Sequence, residues 1–139
     1  MMEENAEPYC VLDASAALAL VYTEEYGAQV EKTVERVIES NGQILIPSLF
    51  WYEVMNGLVT GLRRKRITED DLLSIEEDIT ELPFSTDSAP SSFIRQRIRQ
   101  YAVRHGLTSY DASYLELALR HSIPLKTVDR HLVDLAHDY

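Results

Sequence analysis

Short apolar runs alternate along this chain with longer segments whose apolar residues recur at helical spacing. The short runs, bounded by turn residues, are typical of buried strands and predict strands over 9–13, 43–46, 83–86 and 124–128. The longer segments predict helices over 14–22, 27–40, 48–66, 68–82, 91–104, 109–121 and 131–137. Strands that alternate with helices in this way indicate an α/β sandwich with a mainly parallel sheet.

The chain length sets a simple domain organisation. Its 139 residues are expected to form one domain, with residues 1–7 as a flexible tail. The longest apolar runs, such as 16–22, are far shorter than the roughly 20 residues of a membrane span. The acidic N-terminus does not resemble a signal peptide, and the single Cys10 cannot form an intrachain disulfide. We therefore expect a cytoplasmic protein that makes no contact with a membrane.

The charge of the chain is strongly negative but unevenly distributed. Thirteen basic and 23 acidic residues give a net charge of −10, which argues against a general nucleic-acid coat protein. Two basic islands stand out, and either one could contact phosphate or form a solvated helix end or face. The first basic island is Arg63, Arg64, Lys65 and Arg66, and the second is Arg95, Arg97, Arg99 and Arg104.

Four acidic residues lie beside apolar residues at the ends of predicted elements: Asp13, Glu53, Asp111 and Asp129. Taken singly, the three aspartates could serve as helix caps, and Glu53 could be a partly exposed helix residue. Taken together, Asp13 and Asp129 each end a predicted strand, and carboxyl ends of parallel strands meet at the edge where α/β proteins bind ligands.

Four carboxylates gathered at one edge would repel one another. Two like charges 4 Å apart cost about 4 kcal/mol at an effective dielectric constant of 20, so a compensating cation is expected. All-oxygen ligands suit Mg²⁺ or Mn²⁺, and a water held by such an ion can attack phosphorus. Ser15, Asn56 and Thr127 lie close in sequence to these acids and are candidate supporting groups.

Four segments in order and in register resemble the PIN-domain ribonucleases, in particular the VapC-type toxins of toxin–antitoxin pairs. They are Val-Leu-Asp-Ala-Ser-Ala at 11–16, Tyr-Glu-Val-Met-Asn-Gly-Leu at 52–58, Leu-Thr-Ser-Tyr-Asp-Ala-Ser-Tyr-Leu-Glu-Leu-Ala at 107–118, and Pro-Leu-Lys-Thr-Val-Asp-Arg-His-Leu at 124–132. The resemblance implies a three-layer α/β/α sandwich over residues 1–139. Its sheet would have four or five strands, because the family's final strand has no counterpart after the last predicted helix.

The resemblance also implies a function and its residues. Asp13, Glu53 and Asp111 would be catalytic and would bind Mg²⁺ or Mn²⁺, with Asp129 as a fourth acid. Ser15 and Thr127 would be supporting hydroxyls, and Asn56 would match the asparagine that commonly follows the glutamate. The substrate would be RNA, held by the basic islands. The expected partners are a second copy of the chain and a cognate antitoxin along the active-site groove.

Two other functions compete with a nuclease. A catalytically inactive PIN-fold module could bind RNA or protein with the same pocket, although binding alone does not require all four acids. A phosphoaspartate phosphatase would be expected to show Asp-x-Asp after its first strand, whereas this chain has Asp13-Ala14-Ser15. The sequence therefore favours a metal-dependent endoribonuclease.

Overall fold

The computed structural model describes residues 6–139, so most of the predicted tail lies outside the described residues. Four strands and seven helices alternate along this part of the chain. They are β1 (Pro8–Leu12), α1 (Ala14–Tyr22), α2 (Glu24–Glu39), β2 (Gln43–Ile46), α3 (Leu49–Arg63), α4 (Glu69–Thr80), β3 (Phe84–Thr86), α5 (Ser92–His105), α6 (Ser109–His121), β4 (Leu125–Lys126) and α7 (Arg130–Asp138).

The strands form one parallel sheet in the order β3-β2-β1-β4. The chain moves from β1 through β2 to β3 in one direction and then returns to place β4 on the other side of β1. The order therefore reverses between β1 and β4, which is the switch point where such sheets place ligands. The predicted α/β fold is confirmed, and the number of strands in residues 6–139 is four.

Helices cover both faces of this sheet because each parallel connection crosses over in the right-handed sense. The helices between β1 and β3 cover one face, and α6 packs on the opposite face against β1, β2 and β4. The core between the layers contains side chains with no exposed surface, including Val11, Leu12, Ile44 and Leu115. Near-continuous apolar strands of this kind are expected when a sheet is buried on both faces.

Most predicted boundaries lie within two residues of those in the structure, and the largest differences are in α2 and α3. Helix α2 begins at Glu24 rather than at residue 27, because the negative charges of Glu24 and Glu25 in its first turn interact favourably with the positive end of the helix dipole. Helix α3 ends at Arg63 rather than 66, because the backbone turns left-handed at Lys65, where φ is 57°. The predicted strands that end in aspartate are also too long, since β1 ends at Leu12 and β4 at Lys126.

None of the helices in residues 6–139 combines the length and the apolar character that a membrane-spanning segment needs.

Candidate active site

Asp13 occupies the carboxyl end of β1 and is the N-cap of α1. Its Oδ1 accepts hydrogen bonds from the Ala16 N–H at 2.9 Å and from the Ser15 hydroxyl at 2.6 Å. The side chain is buried, and this burial raises the pKa of Asp13 despite the hydrogen bonds that favour its charged form. Asp13 therefore caps α1, which was one of the two roles that the sequence left open, and the cap fixes its carboxylate at the switch point between β1 and β4.

Ser15 and Thr127 connect the start of α1 with the loop after β4. Their hydroxyl oxygens are 3.2 Å apart, and Ser15 Oγ also accepts a hydrogen bond from the Val128 N–H at 3.2 Å. The Thr127 hydroxyl in turn accepts from the Asp129 N–H at 3.1 Å. Thr127 lies beyond the strand in which it was predicted, but this network brings Asp13 and Asp129 to the same edge.

Glu53 projects from the second turn of α3, one residue before the buried Val54. Its Oε1 accepts a hydrogen bond from the Tyr114 hydroxyl of α6 at 2.7 Å. Burial raises the pKa of Glu53, the Tyr114 hydrogen bond lowers it, and the charges of Asp13 and Asp111 raise it further. Glu53 is thus half-buried and faces the two aspartates across the site.

Asp111 and Asp129 complete the set at the starts of two helices. Asp111 lies in the first turn of α6, where its N–H donates to the Thr108 cap at 3.1 Å. Burial and then the charge of Asp129 raise the pKa of Asp111. Asp129 is the N-cap of α7, and its Oδ1 accepts from the Leu132 N–H at 3.3 Å.

The four acids therefore interact through their charges, and Asp111 interacts with each of the other three. The charge of Asp111 acts on Asp13 and Glu53, and the charge of Asp129 acts on Asp111. Within residues 6–139, however, no three Asp, Glu, His or Cys side chains already stand close enough together to hold a metal ion. The donor set fits a hard divalent cation by its chemistry, because such an ion would offset the repulsion. The ligands are neighbours but are not preassembled.

Residues 10–138 match the family model of the PIN domain. The chain belongs to the PIN domain family. This PIN-domain chain is 32% identical over 124 residues to "Ribonuclease VapC3" of Pyrobaculum aerophilum, an alignment that covers 89% of this chain and 92% of the relative. It also resembles the crystal structure of PAE2754 from the same organism, with a TM-score of 0.68 and 27% sequence identity, over 92% of this chain and 86% of that one. The family resemblance deduced from the four segments is confirmed.

The two basic islands of the PIN domain differ in how free their side chains are. The first island is exposed at the end of α3 and in the turn that follows it, and the Arg66 guanidinium lies 4.3 Å from the centre of the Tyr22 ring. In the second island, Arg95 donates to the Pro90 carbonyl at 2.7 Å, and the half-buried Arg97 donates to the Tyr101 hydroxyl at 2.8 Å. Arg99 and Arg104 are exposed on α5. Arg97 is accordingly the least available of the eight candidates for RNA contact.

Asn56 is exposed on α3, one turn after Glu53, and its supporting role stays a prediction. The adjacent Gly57 allows close packing with α1, because a Cβ atom there would lie 2.3 Å from Leu18 Cδ1. This close approach holds α3 against the helix that Asp13 caps.

Two groups were missed by the sequence analysis. The first is Tyr114, whose spacing of three residues from Asp111 places it on the same helix face. The second is Glu116, which is 1% exposed and pairs with Arg120 one turn later. The i,i+4 spacing of Glu116 and Arg120 within an apolar helix was the available signal.

Proposed function

We propose that this PIN-domain protein is a metal-dependent endoribonuclease toxin of a toxin–antitoxin pair. The observation that supports the proposal is the place of Asp13, Glu53, Asp111 and Asp129 at or near the starts of α1, α3, α6 and α7, where their charges act on one another. Its relative is named a ribonuclease, and the identity extends over nearly the whole of both chains.

Asp13, Glu53, Asp111 and Asp129 would hold Mg²⁺ or Mn²⁺ in this proposal, directly or through water. When bound, the ion supplies an activated water and neutralises charge on the scissile phosphate. Ser15 and Thr127 keep the Asp13 carboxylate in place through their hydroxyl contacts. Burial raises the pKa of Asp13 and that of Glu53, and the positive charge of the cation would oppose this shift by favouring the charged forms.

In this proposal, the basic islands bind the phosphates of the RNA. The exposed first island suits phosphate contact, because its side chains lie at the surface at the end of α3, about 15 Å along that helix from Glu53. The products would carry 5′-phosphate and 3′-hydroxyl ends. We further propose a homodimer, a cognate antitoxin as inhibitor and a cytoplasmic setting.

The test compares the wild-type chain with Asp13→Asn on RNA, with and without Mn²⁺. Asparagine is as good an N-cap as aspartate, so the variant is expected to keep α1 while losing cleavage. Asp70→Asn is the matched control, because Asp70 is an exposed residue of α4 and should leave cleavage unchanged. Cleavage by Asp13→Asn at the wild-type rate would remove Asp13 from the mechanism.

A binding module without catalysis is the alternative, and one observation favours it, since residues 6–139 contain no preassembled metal site. Thermal melting separates the two, because a ligand at 100 times its dissociation constant adds about 2.7 kcal/mol to the free energy of unfolding. A melting temperature that does not move in millimolar Mn²⁺, together with intact RNA, would support the binding module.

A further inference from the structure

Tyr114 is the most buried polar side chain that touches the candidate site, and the proposed function gives it no task. It is 1% exposed, so its phenol cannot reach RNA. It stands on α6 three residues after Asp111 and donates to Glu53 Oε1 at 2.7 Å, across 61 residues of sequence. A polar group so deep in the core needs a partner, and here the partner is a candidate metal ligand.

The phenol also lies near the start of α1, close enough for the Ala14 backbone N–H, adjacent to Asp13, to interact with it electrostatically. This N–H is one of the helix-start donors that have no partner within the helix. The phenol carries a single proton, and that proton is donated to Glu53. One hydrogen bond therefore joins the helices that carry Glu53 and Asp111, beside the start of the helix that Asp13 caps.

We propose that Tyr114 is a positioning residue that fixes the Glu53 carboxylate relative to Asp13 and Asp111 by holding its Oε1, so that the other oxygen is left for the cation. This inference rests on the proposed function. Without the phenol, the half-exposed Glu53 side chain can rotate into solvent, because no other donor among residues 6–139 hydrogen-bonds to its carboxylate. Glu53 would then lose the hydrogen bond that ties its carboxylate to α6, the helix that carries Asp111.

The experiment measures the dissociation constant of Mn²⁺ by electron paramagnetic resonance of the free ion, for wild type and Tyr114→Phe. Loss of a partner that orients a metal ligand typically weakens metal binding about 10-fold or more, and this is the expected change. Tyr22→Phe is the matched control, because the Tyr22 hydroxyl of α1 donates to the Gly57 carbonyl of α3 at 3.3 Å, a contact that involves none of the four acids. It should leave Mn²⁺ affinity unchanged.

RNA cleavage supplies a second readout. At saturating Mn²⁺ the Tyr114→Phe variant should lose kcat with an unchanged KM, since a buried residue affects the reacting groups and not RNA binding. Melting without metal checks that both variants fold.

Each outcome decides the proposal. Equal Mn²⁺ affinity for wild type and Tyr114→Phe overturns it while leaving the proposed function intact. A Tyr114→Phe chain that does not fold while Tyr22→Phe does also overturns it, because the hydroxyl then serves the core. Failure of the wild-type chain to bind Mn²⁺ removes the proposed function itself, and the positioning role with it.

Discussion

The ion pair inside α6 allows a prediction that can be worked out from the structure. Arg120 donates to both oxygens of Glu116, at 2.9 Å each, and to both oxygens of Asp87, at 3.2 and 2.7 Å. Glu116 has 1% of its side chain exposed, whereas Asp87 has 24%. The same guanidinium thus serves one carboxylate that water cannot reach and one that it can.

Arg120→Met keeps much of the apolar stem but removes the charge. Breaking a buried pair from one side costs about 3–5 kcal/mol, because the remaining charge is left without a partner. Asp87→Asn removes the accessible partner instead, and pairs near the surface contribute only about 0–1 kcal/mol. Although both substitutions break contacts of the same arginine, we expect a several-fold difference in their effect on the free energy of unfolding.

Urea unfolding followed by fluorescence of Trp51, the single tryptophan, measures this difference. The Trp51 ring packs edge-on against Phe50 and Phe84 and therefore reports on the core. With an m value of about 2 kcal/mol/M, Arg120→Met should lower the urea midpoint by about 2 M. Adding Glu116→Gln should restore most of the loss, since no buried charge then remains. Equal midpoints for Arg120→Met and Asp87→Asn would refute the reasoning.

Three further predictions concern the site and its supports. In EDTA at neutral pH, Asp13→Asn should have a higher melting temperature than wild type. The pKa of Asp13 is raised in the folded state, so the wild-type chain loses stability as the pH rises above the unfolded-state pKa, whereas the uncharged asparagine does not. That advantage should shrink as the melts are repeated toward pH 4, and a constant advantage would contradict it. Gly27→Ala should destabilise the chain by about 1 kcal/mol, or about 4 °C in Tm, since overpacking outweighs the better helix propensity; the new Cβ would lie 2.7 Å from the Ala19 carbonyl oxygen, and a higher Tm would contradict the prediction. Replacing residues 63–65 by Gln should reduce the slope of log binding constant against log salt by about 2 for single-stranded RNA, measured by fluorescence anisotropy, whereas an unchanged slope would exclude this island.

The arrangement of elements could be predicted because it depends on local periodicity and on rules of handedness. Apolar runs such as 43–46 gave strands with nearly the observed ends, and alternation with helices indicated the parallel sheet. The carboxyl ends of β1 and β4 then had to meet, so Asp13 and Asp129 could be placed near each other before any coordinates. Their roles as caps and as site residues were treated as alternatives, but the two roles are compatible. Each cap uses one carboxylate oxygen, Oδ1, and leaves the other oxygen available to a ligand.

Contacts between side chains far apart in sequence could not be predicted in the same way. The pairing of Tyr114 with Glu53 depends on how α3 and α6 pack across the sheet, which periodicity does not specify. The same holds for Arg120 and Asp87, because Arg120 lies on α6 whereas Asp87 lies in the loop directly after β3. The early end of α3 is another case, since Lys65 is not a residue type that signals a left-handed backbone.

The two outer strands of the sheet are unusually brief: β3 has three residues and β4 has two. An outer strand offers unpaired backbone groups to any extended chain that passes, and the number of hydrogen bonds it offers grows with its length. A border of two or three residues gives a foreign strand too few bonds to attach. The folded molecule is thereby protected against edge-to-edge association of its sheet with other copies at high protein concentration. This protection comes from the short outer strands and not from the surface charge.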